Sequence, residues 1–477
     1  MSAPPPRDDE MDDSPELLDA DEALEEIDDV EGDVAMESDD GEEPEEIHMV
    51  NDSIAYFDAH KDSVFTIAQH PTLPSLIATG GSEGDADDAP GIGYVFDTSG
   101  VSGRPNTELS PLFTLEGHTD SINAVAFTLP RGEFLVSAGL DGRLRAYQLA
   151  IDGHNKAKLN FVGEAQEVPE INWVAPCPYA ATPNTVALGG SDGSVWVYTI
   201  DASDKSNPLQ IVQTYFMHTA ACTAGAWSPD GLLLATVSED SSLCVWDVWG
   251  EAAAKGLTND NGQTVVSLNG EDQRFEVEGG LYSVAIDPKS TLVAVGGAGG
   301  AIKIIGLPRL NNETAPQAQP QSSRQSKAKA KGGDAGSAQS GMILASLHTQ
   351  GDGIETLSFS PTQSLLAAGS VDGSIAVYDM TKSFAVRRHL REAHEEFSVV
   401  KVDFAHGDGW ILTSCGMDGV VRRWDLRIAG QNTSGLVKEW RGHRGDGEGG
   451  GVLGFVQGTG DRIVTAGDDG IVLVFEA

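Results

Sequence analysis

One short phrase recurs at least six times in this chain: an acidic residue in a small polar turn is followed, six positions later, by an aromatic residue. The copies run Asp141–Tyr147, Asp192–Tyr198, Asp240–Trp246, Asp372–Tyr378, Asp418–Trp424 and Asp469–Phe475. A turn followed by alternating apolar residues is typical of a β-hairpin. Because the hairpin recurs with a nearly constant period, the sequence predicts a repeat protein, and its function is expected on a surface rather than in a catalytic pocket.

Pairs of short apolar strands with the same spacing occur in eight units between residues 53 and 477. The sequence therefore predicts an all-β fold, an eight-bladed β-propeller. The last unit lacks a fourth strand, and we expect residues 53–57 (SIAYF) to supply it and so close the ring. Residues 308–340 are rich in Gln, Ser, Ala and Lys, and are expected to be a disordered insert in blade five.

The net charge is −43, and it is spread over the whole chain. Residues 1–50 hold 22 acids and one base, so they are expected to be a disordered acidic N-terminal tail. The remaining residues still carry 51 acids and 29 bases. Such a field favours basic partners and opposes direct binding of nucleic acid. Generic solubility is the alternative explanation of the charge.

The repeated turn acids are interpreted as structural, because an acid in a tight turn can accept backbone N–H bonds and reach a histidine in the preceding loop. In blade four, His218, Ser238, Asp240 and Trp246 have the spacing of a buried hydrogen-bonded tetrad. The residues predicted to be structural are His118, Asp141, Asp192, His218, Ser238, Asp240, Trp246, Asp372, Asp418 and Trp424.

The sequence contains no convincing motif for catalysis or for binding a cofactor. A Ser-His-Asp triad can be written from the same letters, but it recurs with substitutions instead of occurring once. His394–Glu396 lacks the second histidine of a zinc protease, and no His/Cys cluster has metal-ligand spacing. The sequence thus predicts no enzyme, no cofactor and no metal. The four cysteines are expected to be reduced and buried, as in a cytoplasmic or nuclear protein.

A second group of acids lies outside the structural position of the repeat, in the loops that lead into first strands or in the turns between second and third strands. In a propeller these loops meet at one mouth of the central channel. Together they would form a negative bowl suited to the Lys and Arg side chains of an extended peptide. The acids predicted to bind such a peptide are Asp62, Asp120, Glu170, Glu239, Glu355, Glu395, Asp446 and Asp468.

The repeats resemble the WD-repeat family, with WD at Trp246–Asp247 and Trp424–Asp425 and GH at Gly117–His118 and Gly442–His443. The segments QEVPEINWV (Gln166–Val174) and GSDGSVWVY (Gly190–Tyr198), the terminus IVTAGDDGIVLVFEA and the acidic N-terminus make the resemblance narrower. They are similar to the fungal ribosome-assembly chaperones of the large-subunit ribosomal protein L-ten (universal L-sixteen), which are related to animal angio-associated migratory cell protein.

This resemblance implies a monomeric, non-enzymatic chaperone that captures the basic N-terminal segment of a newly made ribosomal protein. It would escort that protein, from the nascent chain onward, to the pre-60S particle. By position, Asp120, Glu170, Glu355 and Asp468 match the family's binding face. No membrane contact is expected, and the protein is expected in the cytoplasm, with the nucleus as a further location. An acidic scaffold or histone-type chaperone for another basic client is the alternative.

Overall fold

The computed structural model describes residues 50–84, 86, 89–101, 106–151, 157–310, 339–428, 435–445, 449–458 and 462–477. By its internal contacts the chain divides into two units, Met1–His48 and Met49–Ala477, and the described residues belong to the second. That unit contains eight sheets in its described part, seven antiparallel sheets of four strands and one sheet of five. The predicted eight-bladed β-propeller is thereby confirmed. The predicted acidic tail lies outside the described residues, apart from Val50.

The strands are numbered in chain order, and β1 spans Ala55–Phe57. Blade one contains β2 (Thr66–Gln69), β3 (Leu76–Ser82), β4 (Gly91–Asp97) and β6 (Phe113–Leu115), with the short β5 (Thr107–Glu108) between the last two. Blade two contains β7 (Ile122–Phe127), β8 (Phe134–Gly139), β9 (Arg143–Ile151) and β10 (Ala157–Gln166). Blade three contains β11 (Ile171–Pro176), β12 (Thr185–Gly190), β13 (Val195–Ile200) and β14 (Leu209–Tyr215). Blade four contains β15 (Cys222–Trp227), β16 (Leu233–Ser238), β17 (Leu243–Asp247), the short helix α1 (Glu251–Ala254) and β18 (Thr264–Leu268).

The second half of the ring follows the same plan. Blade five contains β19 (Leu281–Ile286), β20 (Leu292–Gly297), a 3-10 turn (Ala298–Gly300), β21 (Ala301–Gly306) and β22 (Ile343–His348). Blade six contains β23 (Ile354–Phe359), β24 (Leu365–Ser370), β25 (Ile375–Asp379), a 3-10 turn (Met380–Lys382) and β26 (Ala385–Leu390). Blade seven contains β27 (Val399–Phe404), β28 (Ile411–Gly416), β29 (Val421–Asp425) and β30 (Leu436–Trp440). Blade eight contains β31 (Val452–Val456), β32 (Arg462–Gly467) and β33 (Val472–Glu476).

The ring closes in blade eight with strands from the other end of the chain. Strand β1 pairs antiparallel with β33, with Ala55 opposite Val474 and Phe57 opposite Val472. The sheet then gains a fifth strand that the sequence did not reveal, because β5 pairs in parallel with β1. The guanidinium of Arg462 in blade eight donates to the carbonyl of Val101 at 2.6 Å. Val101 follows the third strand of blade one, so this bond holds the segment after β4 against blade eight.

The hydrophobic core is a ring of layers between blades. Among the described residues, eight apolar clusters can be distinguished, and each is shared by two neighbouring blades. Burial is therefore distributed around the ring, so that every blade depends on both of its neighbours.

The turn between second and third strands also joins blades. In blade six, Gly373 has a φ of 77°, and a Cβ there would lie 2.2 Å from the carbonyl oxygen of Glu395 in blade seven. Only glycine fits such an approach without displacing the neighbouring backbone. Blade four places Ser241 at the same position, with a φ of 62°, and its hydroxyl donates to the carbonyl of Val277.

The disordered insert predicted for residues 308–340 of blade five lies mostly outside the described part of the chain. Residues 311–338 lie outside the described part of the chain, and they connect the third strand β21 to the fourth strand β22. The sequence places the start of a disordered segment at Pro308, yet Pro308 and Leu310 are buried. Gln339 lies against Gly306, and the amide of Gly341 donates to the Gly306 carbonyl at 2.9 Å. Packing at the end of β21 thus orders a few residues whose composition alone is that of a linker.

Candidate functional site

The first strands all begin at the same end of the channel. The side chain of Asn172, the second residue of β11, donates to the carbonyl of Cys222, the first residue of β15, at 3.1 Å. Thr223 of β15 donates in the same way to Leu281, the first residue of β19, at 2.6 Å. The first strands of neighbouring blades therefore begin side by side. Because each second strand runs antiparallel to its first strand, the turn after it returns to the same end. The loops entering the first strands and the turns between second and third strands thus share one surface. We call this surface the mouth face.

Seven of the eight acids predicted to bind a basic peptide are described, and all seven lie on the mouth face. Asp62, Asp120, Glu170 and Glu395 lie in loops that lead into first strands, Glu355 is the second residue of β23, and Glu239 and Asp468 lie in turns between second and third strands. Each is exposed or half-buried. Asp446 lies outside the described residues.

The seven acids differ in whether their carboxylates accept hydrogen bonds from other groups of the protein. Asp468 accepts a hydrogen bond from the hydroxyl of Ser63 at 2.6 Å, and Asp120 accepts one from the amide of Ser121 at 2.7 Å. Glu170, Glu239, Glu355 and Glu395 are exposed, and their carboxylates accept no hydrogen bond within the described part of the chain. These four are therefore the freest to meet a partner.

Glu355 has the most unusual electrostatic environment of this group. Its side chain is accessible to solvent, but the surrounding protein removes part of its hydration. This desolvation, together with the negative charge of Asp352, raises the pKa of Glu355. A cation beside Glu355 would offset the negative charge of Asp352 and favour the ionised carboxylate.

The repeated turn acids have a different role, which blade seven shows most completely. The indole N–H of Trp424 donates to the Ser414 hydroxyl at 2.9 Å, and Ser414 lies 2.8 Å from Nε2 of His394. Nδ1 of His394 lies 2.8 Å from the carboxylate of Asp418, which also pairs with Arg422. Burial alone would raise the pKa of Asp418, but the hydrogen bonds and charges of His394 and Arg422 outweigh it and lower that pKa. This chain of bonds joins the loop before the first strand to the second and third strands.

Blade two repeats this network in a shorter form, with a tyrosine in place of the tryptophan. Nδ1 of His118 lies 3.0 Å from Asp141, and Nε2 lies 2.8 Å from the Ser137 hydroxyl. Blade eight adds a third version that the sequence analysis did not assemble, in which His443 lies between Asp469 at 3.0 Å and Thr465 at 2.8 Å.

The tetrad predicted for blade four is wrong in one member. Nε2 of His218 and Nε1 of Trp246 both lie 2.8 Å from the hydroxyl of Thr236, not of Ser238. Ser238 instead donates to the carbonyl of Ala220 at 3.1 Å. The two residues are two positions apart on β16, so both point to the same face of the strand, and Thr236 is the one level with the histidine. The turn acid Asp240 binds the amide of Thr219 at 2.6 Å, while its closest carboxylate oxygen is 4.0 Å from His218.

Two of the predicted structural acids act without a histidine. Asp192 accepts from the amide and hydroxyl of Ser194 at 2.9 and 2.6 Å. Asp372 accepts from the amides of Gly351 and Ser374 at 2.7 and 2.9 Å. Both hold their turns closed through backbone donors. His394 was not among the residues predicted to be structural, although its distance of 24 residues from Asp418 is close to that of the other His–Asp pairs.

The arrangement argues against catalysis by these histidines. Ser137, Thr236 and Ser414 are fully buried, so their hydroxyls cannot reach a substrate. Burial lowers the pKa of His60 and of His218 to about 4, which keeps both rings neutral at physiological pH. Within the described residues there is no group of His, Cys, Asp and Glu able to hold a metal ion, and no helix is long and apolar enough to cross a membrane.

Comparison with known proteins agrees with this architecture. Residues 109–148, 209–247, 341–379 and 386–425 match the family "WD domain, G-beta repeat". The fold and its acidic mouth face thus define a WD-repeat β-propeller protein. Over 463 residues the chain is 30% identical to the ribosome assembly protein SQT1 of Saccharomyces cerevisiae, a match that covers 92% of this chain and 89% of that protein. The chain belongs to the Sqt1 family.

Two further comparisons place the chain within that family. The crystal structure of Chaetomium thermophilum Sqt1 bound to the N-terminus of the ribosomal protein L10 is 61% identical, with a TM-score of 0.79. The match covers 90% of this chain and all of that one. Human angio-associated migratory cell protein is more distant, at 23% identity over 394 residues, which is 82% of this chain and 74% of that protein.

Proposed function

We propose that this protein is a non-enzymatic chaperone that holds the basic N-terminal segment of the large-subunit ribosomal protein L10 on its mouth face. It would receive that segment from the nascent chain in the cytoplasm, act as a monomer, and release its client to the pre-60S particle. The observation that carries the proposal is the convergence of seven acids on one face. A relative of 61% identity that was crystallised with the N-terminus of L10 supports the choice of client.

The physical argument rests on charge and rigidity. The acids stand on a closed ring whose blades are joined by apolar layers, so binding requires little reordering of the protein. Each Lys or Arg of an extended basic segment can approach a carboxylate that is already in place. The same field speeds encounter with the client and competes with RNA for its basic residues.

The test measures the affinity of a synthetic peptide with the sequence of the L10 N-terminus. Glu355→Lys and Glu170→Lys reverse charge on the mouth face, whereas Glu476→Lys makes the same change at the far end of the third strand β33. We expect each mouth variant to weaken binding roughly tenfold, by analogy with the loss of a charged contact. The control variant should bind the peptide with wild-type affinity. All three variants should have the melting temperature of the wild type.

Equal affinity in the three variants would overturn the proposal. Equally tight binding of an unrelated basic peptide by the wild type would favour a general acidic scaffold instead. A loss of affinity that diminishes at high salt would support the electrostatic basis of binding.

A further inference from the structure

The bases of this acidic chain are concentrated in one part of the ring. Residues 382–444, from the 3-10 turn of blade six to the loop that enters blade eight, hold 11 bases and 8 acids. The whole chain holds 30 bases and 73 acids. More than a third of the bases therefore lie in a segment where they outnumber the acids, and the local field there favours anions.

Some of these bases lie on the outer strands of blades six and seven, at the edges of their sheets. Strand β26 carries Arg387 and Arg388, and strand β30 carries Lys438. Charges on an edge strand can prevent pairing with another chain. The outer strands β6, β14, β18 and β22 nevertheless contain no Lys, Arg, Asp or Glu, so protection of edges is not a general device of this ring. We call the outward surface of β26 and β30 the basic wall.

Equivalent positions on the two strands bring their bases to the same level. Each strand has a β-bulge against the third strand of its blade, at Arg387 in β26 and at Val437 in β30. The residue that follows the bulge is Arg388 in blade six and Lys438 in blade seven. Because neighbouring blades repeat one another, these two cations lie at equal height on adjacent outer strands.

Arg387 and Arg388 have no carboxylate partner. Neither forms an ion pair within the described part of the chain, whereas Arg427 of blade seven pairs with two carboxylates. The guanidinium of Arg387 lies over the ring of Trp410 in blade seven, 4.6 Å from its centroid. Stacking fixes the plane of a guanidinium and leaves the N–H groups at its edge open to an acceptor. Two arginines are thus unpaired in a chain whose acids far outnumber its bases.

Lys438 faces a second cation across the sheet. Arg423 of β29 lies directly opposite it. The Arg423 guanidinium lies 5.1 Å, and Nζ of Lys438 4.8 Å, from the centroid of the Trp440 ring. Nζ of Lys438 donates to the carbonyl of Glu476 at 2.8 Å, but Nε of Arg423 is buried without a hydrogen-bond partner among the described residues. Like charges directly opposite each other destabilise a sheet, and an anion beside this pair would offset the repulsion.

Aliphatic side chains stand exposed among these bases. Val386 of β26 and Val437 of β30 are 48% and 56% exposed. A protein segment can bury such side chains against its own apolar residues, whereas the phosphates of RNA cannot. RNA is also opposed by the negative charge that the chain carries outside this segment. Charge and apolar exposure together favour an acidic polypeptide as the partner.

We propose that the basic wall binds a partner protein through an acidic segment in which Asp and Glu are interleaved with apolar residues. The carboxylates of that segment bind the guanidinium edges of Arg387 and Arg388 and offset the cation pair on Trp440. Its apolar side chains cover the two exposed valines. The basic wall lies on outer strands and not in the loops of the mouth face, so this second binding surface is independent of the proposed function.

The experiment measures, by fluorescence anisotropy, the affinity of the full-length protein for a labelled peptide made of three Glu-Val-Asp-Leu repeats. The wall variant Arg387→Gln/Arg388→Gln removes two charges of the basic wall. The matched control Arg131→Gln/Arg274→Gln removes two exposed charges elsewhere, from blade two and from the loop after blade four. We expect the wall variant to bind the peptide about tenfold more weakly than the wild type, in line with the loss of two exposed charge pairs. The control should keep wild-type affinity.

Two further measurements test the chemistry of the basic wall. The affinity should fall as salt is added, and a peptide with Gln and Asn in place of its acids should bind much more weakly. Lys438→Gln should weaken binding of the acidic peptide about twofold to fivefold. Its melting temperature should not fall, because the substitution removes one of two opposed cations. If the wall variant melts early, Lys438→Gln and the peptide without acids decide, and wild-type affinity in both would overturn the proposal.

Other occupants of the basic wall give different results. Equal affinity of the wild type and the wall variant for the acidic peptide would overturn the proposal. Tighter binding of a short oligouridine, lost in the wall variant, would replace the protein partner by RNA. Self-association that the wall variant abolishes, or tighter peptide binding after removal of residues 1–45, would overturn it in favour of a second copy or of a segment of this chain. The L10 peptide should bind the wall variant as the wild type, so a failure at the basic wall leaves the proposed function intact.

Discussion

Truncating Phe57 tests whether the strand from the N-terminal end closes the ring. This side chain is fully buried between blades eight and one. Its ring stacks on Phe96 at 4.7 Å between centroids and meets Tyr94 edge-on at 5.3 Å. Removing a buried phenylalanine costs about 3–5 kcal/mol through lost burial and the cavity left behind. We therefore expect Phe57→Ala to lower the free energy of unfolding by about 4 kcal/mol, or roughly three powers of ten in the unfolding equilibrium.

The assay is equilibrium denaturation in urea, followed by tryptophan fluorescence. Phe216→Ala is the matched control, because Phe216 is 67% exposed and its truncation should change stability by less than about 0.5 kcal/mol. Removing residues 1–45 should also leave the transition unchanged, since β1 starts at Ala55. If Phe57→Ala unfolds at the same urea concentration as Phe216→Ala, then β1 contributes little to stability and the closure argument is wrong.

Two further predictions concern the buried networks. Thr236→Val should cost about 3 kcal/mol, because it leaves buried groups of His218 and Trp246 without partners, whereas Ser238→Ala should cost about 1 kcal/mol; a larger effect in urea denaturation at Ser238 would contradict the corrected tetrad. Burial lowers the pKa of His60 and of His218 from 6.5 to about 4, so the unfolded chain takes up protons in that range that the folded chain refuses. The free energy of unfolding is therefore highest above pH 6.5 and falls towards pH 4 by up to about 3 kcal/mol for each histidine. A urea midpoint that does not change with pH in this range would refute this prediction.

The architecture was predictable because its signal is local and repeated. The acid, the tight turn and the aromatic residue lie within seven positions of each other, and each copy indicates the same hairpin without knowledge of its neighbours. The fifth strand of blade eight has no such signal. It consists of only Thr107 and Glu108, and it is stabilised by pairing with β1, more than 50 residues earlier in the chain. Long-range pairing of two residues leaves no pattern in a single sequence.

The internal networks show a different limit. Spacing correctly brought His118 and Asp141 together, yet it could not decide between Thr236 and Ser238, which point the same way from one strand. His394 was considered only as a zinc ligand, so its role beside Asp418 was overlooked. Comparing its position with those of the other histidines relative to their turn acids would have found it. In each case residue type and repeat period limit the candidate hydrogen-bond partners to a few residues. The position of each side chain along its strand then decides which of them forms the bond.

In seven blades the second residue of the first strand is a β-bulge, with no partner in the second strand. These bulges explain how one repeat can both build the ring and vary its mouth. The residue before each bulge, such as Ile122 or Ile354, is buried and fills the layer between blades, while the residue after it pairs with the second strand. The bulged residue neither fills the apolar layer nor pairs with the second strand, so its identity can differ from blade to blade. Asparagine at this position donates a hydrogen bond to the next blade, whereas tyrosine or glutamate is exposed to solvent. Because Glu355 occupies such a position and contributes little to the core, reversing its charge should alter binding much more than stability, the reverse of what is expected for Phe57.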